Sequence, residues 1–329
     1  MNVGFGAWRF FLAFLVAISH LWSRMIHGPA AYAVWGFFVL SGFLMTYVLQ
    51  NKYGSSVLGL RDFAYNRFLR IFPAYWVAGV LGAVAIIALP HYGVSLVSLN
   101  PQFAWPTGWV GWLGNIWLVP LPVGNLLVPV SGALAVEVGA YVLLPLMAFS
   151  RPAAWLGLIL SLLLNGAHGI SPENFAIRYT SFLTAFWVFA LGALLAHYQT
   201  VLSRYSHPVL SVGLWVLNAL VWLVYDVWPW TYGLYLSVLL SGWVVLSLAS
   251  AKVGRMDMVL GNLSYPLYLF HTTVGVFVWV FLPPERSFVF FLVSFVLTLV
   301  LSWLVVVCID ERIDGFKKRK HFKRPAPLP

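Results

Sequence analysis

Charged residues are scarce in this sequence. Asp, Glu, Lys and Arg account for 9% of its 329 positions, whereas a soluble domain contains about a quarter. Hydrophobic residues make up 61% of the chain, and its mean hydropathy is +0.88. This composition excludes a soluble globular domain, and we predict an all-α polytopic membrane protein.

Cysteine is almost absent, since Cys308 is the single one and lies in an apolar run. This excludes a disulfide framework and a cysteine metal site. The histidines are too far apart in the sequence to suggest a metal site, and neither a Walker-type phosphate loop nor a G-x-S-x-G elbow is present. We therefore expect no bound metal.

The net charge of +10 comes from basic residues that are spread over loops and the C-terminal run KKRKHFKR. A nucleic-acid-binding protein would cluster such residues on a soluble face, so we expect no nucleic-acid partner. The pattern is typical of membrane topology, in which Lys and Arg concentrate in cytoplasmic loops. The lipid bilayer is the expected partner.

Eleven apolar segments are candidates for membrane helices. They cover approximately residues 8–24, 32–49, 68–89, 109–123, 129–149, 153–167, 179–197, 208–226, 230–250, 259–282 and 287–309. The stretch 50–70 and the C-terminal run are both basic, which places both in the cytoplasm. Both placements can hold only if one of the eleven segments does not cross the membrane. The segment 109–123 contains several glycines and prolines, which favour a re-entrant or interfacial piece over a spanning helix. The predicted topology has about ten transmembrane helices with both termini cytoplasmic.

The chain divides into two parts on this layout. Residues 1–310 form an integral-membrane domain, and residues 311–329 form a basic cytoplasmic tail. We expect roughly the last fifteen residues to be disordered and to contact anionic lipid. No internal repeat is visible in the sequence.

The first apolar segment contains RFFLAFLVAISH, which has Arg9 at one end and His20 at the other. Their spacing puts both side chains on one helix face, about 16 Å apart along the axis. One interpretation is that Arg9 extends to the headgroups and His20 is a satisfied polar residue. The other is that both residues face a functional channel.

Glu137 and His271 are further ionisable residues inside apolar segments, where such groups usually face a cavity or a partner. Glu137 is either protonated or paired with a base such as His20 or an arginine. On the predicted boundaries His20 is shallower than Glu137, so a pair requires helix 1 to extend past residue 24 or to be displaced inward. His271 is either a second polar partner in that cavity or a core histidine bonded to a hydroxyl.

Arg67 and Arg70 stand in YNRFLRIFPAYW, three positions apart, so both project from the same side of the first turn of the third helix. They are either two ordinary cytoplasmic arginines or a clamp for an anion. Guanidinium groups bind phosphate in a bidentate manner, and a clamp at the cytosolic interface would meet a soluble phosphorylated donor.

Five motifs follow one another along the chain: R-x10-H, FFVLSGFLMTYVL, RFLRIFPAYW, LAVEVGAYVLLPL and LSYPLYLFH. In this order they resemble the membrane acyltransferase-3 family over most of residues 5–310. The resemblance implies about ten helices. It also implies transfer of an acyl group, often acetyl, from acyl-CoA to a hydroxyl of a sugar or related acceptor.

The resemblance assigns roles by position. It implies that His20 is the catalytic base, with Arg9 and Glu137 as catalytic companions. It associates Arg67 and Arg70 with the phosphates of CoA.

Four more residues lie in matching motifs. Tyr75 is assigned to the donor side, and Ser41, Tyr141 and His271 to the substrate cavity. The chain departs from the family where Gly132-Ala133 replaces Trp-Ser, which puts in doubt a role for a hydroxyl there.

These observations favour a membrane O-acyltransferase that moves an acyl group from cytosolic acyl-CoA to a carbohydrate or glycan hydroxyl. The expected location is a bacterial inner membrane. The alternative is a transporter or exporter of a glycan or a lipid-linked precursor, because ten helices with buried polar residues also suit transport. The lack of an internal repeat argues against the alternative.

Overall fold

The computed structural model describes residues 4–25, 28–251 and 253–322, and that part of the chain is helical with no β-strand. Ten long helices form the bundle. They are α1 (Phe5–Leu21), α2 (Ala30–Val48), α3 (Val57–Ala88), α4 (Ser131–Phe149), α5 (Arg151–Gly166), α6 (Phe182–His197), α7 (Pro208–Leu220), α8 (Tyr232–Leu248), α9 (Arg255–Val278) and α10 (Phe288–Val305).

Shorter α-helices connect or flank the long ones: Leu96–Leu99, Gly108–Trp117, Phe175–Thr180, Gln199–Leu202 and Glu311–Phe322. Two π-helical turns, Leu49–Tyr53 and Val306–Asp310, extend α2 and α10. The apolar segments of the sequence therefore locate all ten long helices, because continuous hydrophobic runs are the strongest signal that a sequence carries.

The start of α3 was predicted incorrectly. The helix begins at Val57, not near residue 68, because Ser56 caps it by accepting a hydrogen bond from the Gly59 backbone N–H at 3.1 Å. The first turns are polar, so hydropathy does not detect them. Arg67 and Arg70 consequently lie about three turns into α3 rather than in its first turn.

The segment 109–123 forms the ten-residue helix Gly108–Trp117, which is about 15 Å long and too short to cross a bilayer. Buried Asn115 anchors it. The Asn115 carbonyl accepts from the Tyr75 hydroxyl at 2.5 Å, and its side-chain oxygen accepts from the Leu127 N–H at 2.8 Å. These bonds satisfy irregular backbone inside the protein, as a re-entrant or interfacial piece requires.

Within the described residues, four helical segments are long and apolar enough to cross a membrane. They are Ala30–Tyr53, Val57–Tyr92, Ser131–Phe149 and Phe288–Lys317. Two pairs of helices bent by 66° and 81° raise the number to six if each pair is one span. The count of ten crossings and the cytoplasmic placement of both termini stay predictions.

The basic tail is more ordered than the sequence indicates. Residues Glu311–Phe322 are helical and continue α10, so residues 315–322, which the sequence predicts to be disordered, belong to a helix. The Arg70 guanidinium contacts Asp310 at 2.8 Å and ties the start of the tail to α3. Residues 323–329 lie outside the described part of the chain.

Helices α1 and α9 run parallel in close contact. The Asp257 carboxylate, at the start of α9, accepts hydrogen bonds from the N–H groups of Gly4 (2.9 Å), Gly6 (3.1 Å) and Ala7 (2.8 Å). These donors are unpaired groups of a helix N-terminus, where a negative charge is also favoured. A Cβ atom on Gly6 would lie 1.8 Å from the Asp257 carbonyl oxygen, so only glycine permits this approach.

We predict that Gly6→Ala destabilises the protein by about 1–3 kcal/mol, because the added methyl group forces α1 away from α9. Thermal unfolding in detergent should show a lower midpoint. Gly79→Ala is the matched control, since Gly79 lies in α3 with nothing within 4 Å of an added Cβ. Equal midpoints for the two variants would contradict the close contact.

The predicted topology has its own test. On the predicted layout, a compartment reporter fused after residue 126 should read outside the cytoplasm, because the ten-residue helix Gly108–Trp117 is too short to cross. A cytoplasmic signal at this position would mean that the segment spans the bilayer and that the chain crosses eleven times.

Candidate functional site

A cavity of about 440 Å³ lies among α1, α2, α3, α4 and α9. It brings together six residues singled out from the sequence: Arg9, Ser41, Arg67, Arg70, Glu137 and Tyr141. Asp314 and Lys317 of the C-terminal helix also line it, and the Asp314 side chain is 64% exposed, so the cavity reaches the surface there. We call this space the arginine cavity.

Three arginines give the cavity its charge. Arg67 and Arg70 are one turn apart on α3, and Arg9 enters from the second turn of α1. Within the described residues, the ion pairs at this cavity are Arg70–Asp310 at 2.8 Å and Lys317–Asp314 at 3.5 Å. Arg9 and Arg67 thus have no carboxylate within ion-pair distance in that part of the chain, and Arg67 Nε is buried without a hydrogen-bond partner there.

Glu137 of α4 also lines the arginine cavity. Its Oε1 accepts hydrogen bonds from the Ser41 hydroxyl and from the Tyr141 hydroxyl, the latter at 2.5 Å. The expected alternative of a pair with His20 is wrong, because α1 ends at Leu21 and His20 contacts another histidine. Glu137 Oε1 thus holds the Ser41 and Tyr141 hydroxyls at the edge of the cavity that Arg9, Arg67 and Arg70 also line.

The two membrane histidines form a pair. His20 Nδ1 lies 2.8 Å from His271 Nε2. The ring planes differ by 3° and the ring centres are 5.1 Å apart, which is the geometry of coplanar rings bonded edge to edge. His271 is fully buried, whereas His20 is partly exposed. We call this pair the histidine dyad.

Tyr268 lies next to both the arginine cavity and the histidine dyad, with its ring centre 6.3 Å from that of His271. Neither histidine lines the cavity, although Tyr268, one turn before His271, does. The Tyr268 hydroxyl donates to the Val130 carbonyl at 2.8 Å, and its ring packs against Phe37 with ring centres 6.1 Å apart. His271 is therefore not a residue of this cavity in the structure.

The far end of α1 is held by a loop. The Ser23 N–H donates to the Arg286 carbonyl at 2.8 Å, and the Arg286 guanidinium donates to the carbonyls of Ser98 and Leu99. Burial lowers the pKa of Arg286. These bonds connect the segment that follows α1 to the loop before α10 and to the short helix Leu96–Leu99.

Tyr75 and Asp310 differ from what the sequence indicates. Tyr75 is buried with its hydroxyl on Asn115 and does not line the cavity, so its position is that of a structural contact to the short helix. Asp310 was missed, because it lies just before a tail expected to be largely disordered. Tyr268 was missed too, although its spacing of three from His271 places both on one helix face.

Comparison with known families gives one match. A family model described as an acyltransferase domain matches residues 2–307. The matched range covers all ten long helices and includes Arg9, Arg67 and Arg70 and the histidine dyad. It ends before Asp310 and the C-terminal helix. Comparisons with curated proteins and with solved structures gave no match.

Proposed function

The chain belongs to the acyltransferase-3 family, and we propose that it transfers an acyl group from acyl-CoA to a hydroxyl of a carbohydrate or glycan. The observation that carries the proposal is the arginine cavity. It offers two guanidinium groups, those of Arg9 and Arg67, that have no carboxylate within ion-pair distance among the described residues, next to a third that is held by Asp310.

The phosphates of acyl-CoA suit this cavity. Guanidinium groups bind phosphate oxygens through paired hydrogen bonds, and Arg67 and Arg70 project from neighbouring turns toward the same space. A volume of about 440 Å³ falls within the range of small-molecule sites, which is about 300–1,000 Å³. We propose that Arg67 and Arg70 hold the phosphates and that Arg9 faces the inner part of the donor.

Asp310 competes with the donor for Arg70. Its carboxylate occupies the position that a phosphate oxygen would take on the guanidinium group. Binding of the donor would then release Asp310, which lies at the junction of α10 and the C-terminal helix. We propose Glu137 as the group that balances the arginines and orients Ser41 and Tyr141, rather than as a partner of His20.

His20 is the proposed general base. An imidazole has an unperturbed pKa near neutral and can accept a proton from an attacking hydroxyl. The acceptor oxygen would attack the thioester carbonyl, the carbon–sulfur bond would break, and the CoA thiolate would leave. Because His20 and His271 do not line the arginine cavity, the acyl end of the donor must extend beyond the cavity and past Tyr268 to reach His20.

The acyl group, the acceptor and the cellular location are proposed from what is common in the family. We propose acetyl as the acyl group, a glycan exposed outside the cytoplasm as the acceptor, and the bacterial inner membrane as the location. The donor is made in the cytosol and its charge prevents it from crossing a bilayer. A cavity that opens beside Asp314 of the basic C-terminal helix is consistent with entry from that side.

Donor binding is the first test. Arg67→Ala should weaken the binding of CoA to the purified protein about tenfold or more, because a charge-assisted hydrogen bond contributes about 1.5–3 kcal/mol. Asp310→Asn should strengthen binding several-fold, because it removes the competitor for Arg70. Arg61→Ala is the matched control, since Arg61 is on the same helix with its side chain 66% exposed. Unchanged affinity for CoA in both Arg67→Ala and Arg70→Ala would contradict the proposal that these arginines bind the phosphates.

Acyl transfer is the second test. His20→Ala should lower acetylation of a cell-envelope or secreted glycan by about 10²–10⁴-fold while CoA binding is kept, because only the proton acceptor is lost. His91→Ala, an exposed histidine after α3, should leave acetylation unchanged. Full acetylation by a His20→Ala variant that is expressed normally would rule out His20 as the base.

A further inference from the structure

We infer that His271 is a positioning residue that keeps a proton on Nδ1 of His20 and leaves Nε2 of His20 as the basic atom. The inference rests on the proposed function, in which His20 takes the proton of the acceptor. It assigns a role to the second histidine and identifies which nitrogen of the first one reacts.

The assignment starts from a backbone carbonyl. His271 Nδ1 lies 2.7 Å from the Tyr268 carbonyl oxygen and 3.3 Å from that of Leu267. A carbonyl oxygen only accepts hydrogen bonds, so His271 Nδ1 carries the hydrogen. In a neutral imidazole the other nitrogen is then an acceptor, and His271 Nε2 has a free lone pair.

The protonation of His271 determines which nitrogen of His20 carries the hydrogen. Its Nδ1 lies 2.8 Å from His271 Nε2, and that contact needs one donor and one acceptor. Because His271 Nε2 is the acceptor, His20 Nδ1 carries the hydrogen. His20 Nε2 is therefore unprotonated in the neutral dyad, with its lone pair directed away from His271.

Burial separates the two roles. His271 has no exposed surface, and both of its nitrogens are engaged, so it has no atom left for a substrate. His20 is partly exposed, and its Nε2 is the nitrogen that the dyad leaves free. The histidine that is sealed in the core thus orients the one that can meet the acceptor.

The dyad follows the logic of a catalytic triad, in which a buried acceptor fixes the tautomer of a histidine base. In the transfer step, His20 Nε2 takes the hydroxyl proton as the acceptor oxygen bonds to the thioester carbon. The carbon–sulfur bond then breaks, and the leaving thiolate takes the proton from Nε2, which gives an ester and free CoA. Throughout, the hydrogen on His20 Nδ1 stays hydrogen-bonded to His271 Nε2. This hydrogen bond stabilises the positive charge on the His20 ring.

Kinetics of His271 variants test this role. His271→Leu should lower kcat about 10²-fold, because it removes the acceptor of the His20 Nδ1–H, while KM for the donor and the affinity for CoA stay unchanged. His271→Gln should recover about tenfold of the loss, since its side-chain oxygen can accept the same hydrogen bond. Thr273→Val, a buried site on the same helix whose hydroxyl has no partner among the described residues, is the control and should keep the wild-type kcat. Equal kcat values for His271→Leu and His271→Gln would overturn the inference.

A spectroscopic test does not depend on activity. Solid-state ¹⁵N NMR of histidine-labelled protein in lipid should show a protonated Nδ1 and an unprotonated Nε2 for His20, with its signals assigned by their loss in His20→Gln. The opposite tautomer would overturn the inference even in an active enzyme. If the wild-type protein transfers no acyl group, the proposed function fails, and the NMR result still decides the tautomer.

Discussion

The close parallel packing of α1 on α9 is the interaction on which the rest of the site depends. One carboxylate, that of Asp257, accepts three backbone N–H groups at the start of α1, and Gly6 lets the two helices approach to backbone contact. This fixes the height of α1 relative to α9. About four turns later His20 is level with His271, and the two rings share one plane.

A second consequence of this packing is the separation of charge along α1. Arg9 near its start lines the cavity that holds Arg67 and Arg70, and His20 near its end pairs with His271. The donor carries its negative charge on phosphates and its reactive carbon at the other end. A long molecule of this kind can bind through its phosphates at one site while its thioester carbon reacts at another. Neither site then has to bind both the phosphates and the thioester.

The sequence predicted the helices well and the site only in part. Hydrophobic runs located all ten long helices, and the order of five motifs identified the family, because both signals are local. The pair of His20 with His271 was not predicted, since the two residues are 251 positions apart and only the packing of α1 on α9 brings them together. The roles of Ser56 and Asp310 were not predicted either, because a polar turn and a lone carboxylate next to a basic tail look like ordinary loop residues.

The central claim is that the donor binds at one end of α1 and the acceptor reacts at the other. It is tested most directly in proteoliposomes with the protein in one orientation, with acetyl-CoA on the side of Arg67 and a glycan acceptor that cannot cross the membrane on the opposite side. The account predicts acetylated glycan on the side opposite the donor, at a rate that depends on His20. Acetylation that occurs only when donor and acceptor share one compartment would contradict it.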